Sequence, residues 1–137
     1  MFKQPLFNCF VEDVESSVRF FRDYLGFVET FRVPTEGVPA HVELKLDGIV
    51  IAVSTFDAAQ TDHGLDVSPG GPQSEIVLWT EDADAAYEMT VANGAIQVTP
   101  PHTFLGRLRT GRVSDPNGIL ISASANVGAT QTTASVR

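Results

Sequence analysis

The strongest constraint on the fold is a pattern that the chain carries twice. In residues 6–27, LFNCFVEDVESSVRFFRDYLGF, an apolar run ends at Glu12 and Asp13, and Val14, Val18, Phe21 and Leu25 then recur at steps of four, three and four before Gly26. That spacing lays side chains along one stripe of a helix, with Asp13 placed to cap its free N–H groups and Gly26 to stop it. Residues 75–95, EIVLWTEDADAAYEMTVANGA, repeat the plan: a strand, an acidic pair, a helix with Ala83, Ala86, Tyr87 and Val91 on one face, and Asn93 and Gly94 at its end. Asp82 follows Asp13 by 69 residues, Gly94 follows Gly26 by 68, and Gly118 follows Gly48 by 70. Three landmarks at one spacing imply an internal duplication, and two copies are too few for a solenoid, so the copies are expected to be halves of one domain.

The remaining segments fill out the two halves. Residues 27–33 are rich in aromatic and β-branched residues and predict a strand; Pro34, Gly37 and Pro39 mark a turn. Residues 40–46 alternate, with Val42, Leu44 and Leu46 on one face and His41, Glu43 and Lys45 on the other, and Asp47 and Gly48 then turn the chain into a strand over 49–54. The Gly- and Pro-bearing stretch 55–74 is expected to be a linker. In the second half, a strand over 95–98 is expected to break at Pro100 and Pro101, and 105–114 reads as a strand. Asp115, Pro116, Asn117 and Gly118 make a tight turn into a last strand over 119–123. The prediction is an α+β fold of two tandem β-α-β-β-β modules, 5–54 and 75–125, in a single domain over 1–125, with a disordered tail from 126.

Charge narrows the partners. With 17 acidic against 9 basic side chains, the formal net charge is −8, which disfavours nucleic acid and anionic membranes, since both call for a basic face. Small neutral or cationic ligands stay open. A single cysteine, Cys9, excludes an internal disulfide framework and fits a reducing compartment. With neither a signal-peptide pattern nor a run of membrane-spanning length, the expected location is the cytoplasm.

Two β-α-β-β-β modules, the string VEDVESSVRFFRDYLGF and the string VSDPNGILI together resemble the vicinal oxygen chelate superfamily, which includes glyoxalase I, bleomycin-resistance proteins, fosfomycin-resistance enzymes and extradiol dioxygenases. The resemblance covers roughly residues 5 to 125. It implies that each module curls its sheet into a cup, that paired modules enclose a cleft, and that the protein forms a homodimer. Metal-using members place His, Glu or Gln at four positions of the concave face. The resemblance carries these onto Leu6 and Glu75, seven residues before Asp13 and Asp82, onto Ser122, seven after Asp115, and onto Ala52 through the duplication. Only Glu75 is a good ligand, so neither a metal nor another cofactor is expected.

The strand period of two then sets Leu6, Asn8 and Phe10 on the cup side, with Phe7, Cys9 and Val11 packed on the helix; Glu75, Val77 and Trp79 face the cup in the second module. Val50, Ala52 and Ser54, with Leu120, Ser122 and Ser124, complete the walls of an apolar pocket with sparse polar points. Trp79 is placed either to stack on a flat ligand or to fill the core. Glu75 in such a cup must be paired, hydrogen-bonded or protonated, which makes it the candidate to hold a cation or act as a general base. His41, His63 and His102 lack metal-pair spacing and read as solvated or locally bonded, with His41 and His102 in reach of the cleft rim as proton carriers. Arg107 and Arg109 share a strand face and either clamp a carboxylate or balance nearby acids. Two functions follow: a metal-free protein that binds a small aromatic or cationic molecule, or a lyase, isomerase or dioxygenase of the same superfamily with Glu75 as base or metal ligand.

Overall fold

The computed structural model describes residues 1, 3–70 and 74–127. The chain divides into two compact units, Met1–Pro72 and Gln73–Arg137. In the first, β1 (Phe7–Val11), β2 (Val28–Val33), β3 (His41–Leu46) and β4 (Ile49–Thr55) form a sheet in the order β1-β4-β3-β2, with β1 parallel to β4 and the other pairs antiparallel. The second repeats this with β5 (Glu75–Trp79), β6 (Ile96–Phe104), β7 (Leu108–Ser114) and β8 (Leu120–Asn126), in the order β5-β8-β7-β6. Both are open, mixed sheets.

Each β-α junction is built as its sequence dictates. Asp13 accepts from the Glu15 N–H at 3.1 Å and opens α1 (Val14–Arg19); Asp82 accepts from the Ala85 N–H at 3.0 Å and opens α3 (Ala83–Ala92). Helix α1 does not run on as an α-helix to Leu25. Its next residues, Phe20–Tyr24, form a π-helical turn in which the Leu25 N–H reaches the Phe20 carbonyl. The wider turn accompanies burial of two successive rings, Phe20 and Phe21, and Gly26 then ends the segment at φ +85°. Val11, Val14, Val18, Phe21, Val42, Leu44, Ile51 and Val53 make the first unit's core. Phe7, expected in that core, is 69% exposed, because α1 packs on β3 and β4 while β1 is an outer strand.

Four expected boundaries change. The linker carries a helix, α2 (Phe56–His63), capped by Thr55, whose hydroxyl accepts from the Ala58 N–H, and stopped by Gly64 in the left-handed region. Its single buried side chain, Ala59, explains why apolar periodicity did not reveal it. Pro100 and Pro101 do not break β6, which runs through both as an edge strand with register shifts between Gln97 and His102; an edge strand tolerates a missing N–H. Residues 105–107 are the β6–β7 turn, with Leu105 and Gly106 at positive φ, so β7 begins at Leu108. Strand β8 extends to Asn126, and the Val127 N–H bonds the Arg107 carbonyl; the rest of the expected tail lies outside the described residues.

In the second unit Gly111 allows α3 to sit close on the sheet. A Cβ there would stand 2.9 Å from Tyr87 Cδ2 and 3.2 Å from Pro101 Cγ. The Asp115 turn is also side-chain built: buried Asp115 accepts from the N–H groups of Asn117 and Ile119, each at 2.8 Å, and Gly118 takes φ +92°.

Candidate functional site

The two-residue turn at Asp47 and Gly48 fixes the β3–β4 register, and that register assembles the polar part of the first unit. His41 lies opposite Ser54 and Glu43 opposite Ala52, while the parallel β1–β4 ladder sets Asn8 beside Ala52 and Phe10 beside Ser54. These side chains share the sheet face away from α1. A continuous hydrogen-bonded chain crosses it. Ser54 Oγ donates to Asn8 Oδ1 at 2.8 Å and lies 2.7 Å from His41 Nδ1; His41 Nε2 lies 2.9 Å from Glu43 Oε2. Ser54 is buried, whereas the side chains of His41 and Glu43 keep 28% and 26% of their surface. The Phe31 ring meets the imidazole edge-on at 6.1 Å, and Phe10 and Phe56 pair at 6.4 Å. The second carboxylate oxygen, Glu43 Oε1, has no hydrogen-bond partner among the described residues.

The corresponding face of the second unit is built differently. Glu75 is ion-paired with Arg112 through the guanidinium Nε. Thr110, Ser122 and Ser124, all buried, form a closed triangle of hydroxyls at 3.1, 2.9 and 2.7 Å. A triangle in which each O–H donates to the next satisfies all three donors internally. Val77 is exposed, and Trp79 and Leu120 are half-buried on the same face.

The four positions that the resemblance assigns to metal do not fit a divalent ion. Leu6 and Ala52 carry no donor atom, the Glu75 carboxylate already binds Arg112, and Ser122 is engaged in the hydroxyl triangle. Among the described residues no three His, Cys, Asp or Glu side chains gather to hold an ion.

The other candidates separate cleanly. Arg109 lies on the helix side and binds Asp84 of α3 through two bonds, 2.8 and 3.0 Å, which holds that carboxyl below its usual range. Arg107 falls in a turn and shares no strand face with it. His102 is exposed and bonded to the Pro100 carbonyl, His63 ends α2, and Cys9 is half-buried on the α1 side of the sheet. What the strand pattern missed was Glu43 and the joining of His41 to Asn8 through Ser54. The signal was present: a two-residue turn after Leu46 pairs Leu46 with Ile49 and therefore His41 with Ser54.

No helix among the described residues is long and apolar enough to cross a membrane. An uncharacterised protein of Mycobacterium bovis, Mb0911c, is 31% identical over 112 residues, covering 79% of this chain and 73% of its own length. Among solved structures, a glyoxalase-related enzyme from Fulvimarina pelagi superposes with a TM-score of 0.74 at 22% identity, covering 96% of each chain. TioX from Micromonospora sp. ML1 superposes with a TM-score of 0.73 at 21% identity, covering 92% of this chain and all of TioX. At those identities the superpositions speak for the fold alone. The Glyoxalase/Bleomycin resistance protein/Dioxygenase superfamily model matches residues 4–123, and the chain belongs to that superfamily.

Proposed function

We propose that this chain is a small-molecule-binding member of its superfamily, that it takes an aromatic or cationic compound on the sheet faces turned away from α1 and α3, and that it does so as a homodimer in the cytoplasm. The observation that carries this reading is the chain Asn8, Ser54, His41 and Glu43, which sets a carboxylate with one open oxygen beside the Phe31 ring. A half-buried carboxylate on a sheet face that also carries the Phe31 ring suits a flat cation, and the net charge of −8 favours its approach. Binding is favoured over catalysis by Glu75, because the Arg112 guanidinium occupies the carboxylate that a general base would need free. On the first unit's open face the ligand-facing candidates are Leu6, Asn8, Phe10 and Ala52; on the second unit's own face they are Val77, Trp79, Leu120 and Ser122, with Glu75 anchoring Arg112. Isothermal titration of the full chain with benzamidinium and with its neutral isostere benzamide tests the reading. Saturable heat with either supports it, and its absence with both contradicts it. Light scattering after gel filtration tests the dimer: twice the chain mass supports it, and the mass of one chain contradicts it.

A further inference from the structure

The hydrogen-bond directions along the first unit's polar chain restrict where protons sit. An ionised carboxylate only accepts, so Glu43 Oε2 requires a hydrogen on His41 Nε2. Ser54 spends its single hydrogen on Asn8 Oδ1, so the short contact between Ser54 Oγ and His41 Nδ1 requires a second ring hydrogen, on Nδ1. In this arrangement the imidazole is doubly protonated and balances Glu43. A second arrangement satisfies the same contacts with one proton fewer: the Asn8 amide turns to donate through Nδ2, Ser54 donates to Nδ1, and Nε2–H stays on Glu43. The two differ by one proton and two side-chain rotations. No backbone movement is needed.

We propose that Glu43 is the ligand-facing group of the first unit, that it takes an aromatic cation of amidinium or ammonium type through Oε1, and that His41 gives up its Nδ1 proton as that cation arrives. This deepens the binding reading above and rests on it. One positive charge enters and one leaves to solvent, so the carboxylate is never left facing two cations. The other ionisable side chain on this sheet face is Lys45, on the same strand, and it makes no ion pair with Glu43 among the described residues. On this face β1, β2 and β4 bring Asn8, Phe10, Phe31, Val33, Ala52 and Ser54, none of which titrates; Asp57 lies in the first turn of α2, the helix that follows β4. Asn8 and Ser54 are thus positioning residues that record the protonation state of the ring.

The test is calorimetric titration with benzamidinium, which stays cationic through the neutral range, so that any proton released comes from the protein. Performed at about pH 6, where an ordinary imidazole is mostly protonated, in buffers of different ionisation enthalpy, it is expected to show net proton release on cation binding, up to one proton per cation. Glu43→Gln is expected to weaken binding by about tenfold or more, since it removes a charge-assisted pair. His41→Gln is expected to lose the proton release, and release that persists in it overturns the proposal. Should Glu43→Gln fail to fold, benzamide on the unaltered chain replaces it, with the same weakening expected. Binding without proton release, or Glu43→Gln binding as tightly as the unaltered chain, overturns the proposal and leaves the binding reading standing. Absence of binding by both benzamidinium and benzamide overturns both.

Discussion

His41 Nδ1 stands 2.7 Å from Ser54 Oγ, directly across the hairpin that Asp47 and Gly48 close. The contact joins two strands to a third, because Ser54 also reaches Asn8 on β1. Ser54→Ala therefore removes the one atom that satisfies both neighbours. It is expected to destabilise the fold by about 0.5–1.5 kcal/mol, the net loss of hydrogen bonds to a half-buried imidazole and an exposed amide, as read from urea unfolding midpoints. An unchanged midpoint would mean that water replaces the hydroxyl without loss.

Arg32 ties β2 to α1. Its guanidinium meets Glu15 at 2.8 and 3.1 Å and Glu29 at 2.7 and 2.9 Å, and these bonds hold both carboxyls below their usual range while raising Arg32 further above its own. A carboxyl whose folded value is depressed contributes stability that is full above its unfolded value, about 4.3, and is lost as pH falls through the folded value. Arg32→Ala is expected to cost about 1 kcal/mol at neutral pH and low salt, less as salt rises. The difference should hold down to about pH 5 and shrink below about pH 4, where the unaltered chain loses the same interaction. A difference that persists at about pH 3 would show that Arg32 acts through packing of its stem instead.

Gly111 sits where α3 meets the second sheet, with room for no Cβ beside Tyr87 and Pro101. Gly111→Ala should destabilise the chain by about 1–3 kcal/mol, as overpacking of a closed contact does. The Tyr87 ring lies against β7 and is 4% exposed, so it has little open space to retreat into. Thermal unfolding of Gly111→Ala beside Gly118→Ala separates this effect from backbone strain. Gly118 has open space around it but a φ of +92°, so its cost arises from conformation rather than collision.

Arg112 and Glu75 form the ion pair of the second unit's open face, with about a third of each side chain exposed. Exposed pairs contribute little to stability, so Glu75→Gln is expected to shift the unfolding midpoint by less than about 1 kcal/mol. It should leave benzamidinium affinity within about twofold, since the first unit supplies the carboxylate that the cation meets. A large loss of affinity would move the cation site to Glu75.

The duplication, the two helix caps and the Asp115 turn were legible in the sequence because each is decided locally, by a side chain bonding its own next few N–H groups. Strand β6 misled because a proline ends a strand only where its missing N–H was needed, and whether a strand lies at an edge is a property of the sheet. Helix α2 was hidden for a related reason: a helix that buries one alanine has almost no apolar stripe to read. Period-two alternation put Asn8 and Ala52 on one face, as the ladder also has them, yet the pattern left His41 and Glu43 on what looked like a solvent face. Alternation tells which side chains share a face and not what that face meets.

The most direct test of the account is a two-dimensional amide NMR titration of the full chain with benzamidinium. Saturable shifts are expected at Asn8, His41, Glu43 and Ser54, larger than those at Val42, Leu44 and Val53, which pack on the α1 side. Shifts confined to that opposite side, or no saturable shift at any of the four, would contradict the account.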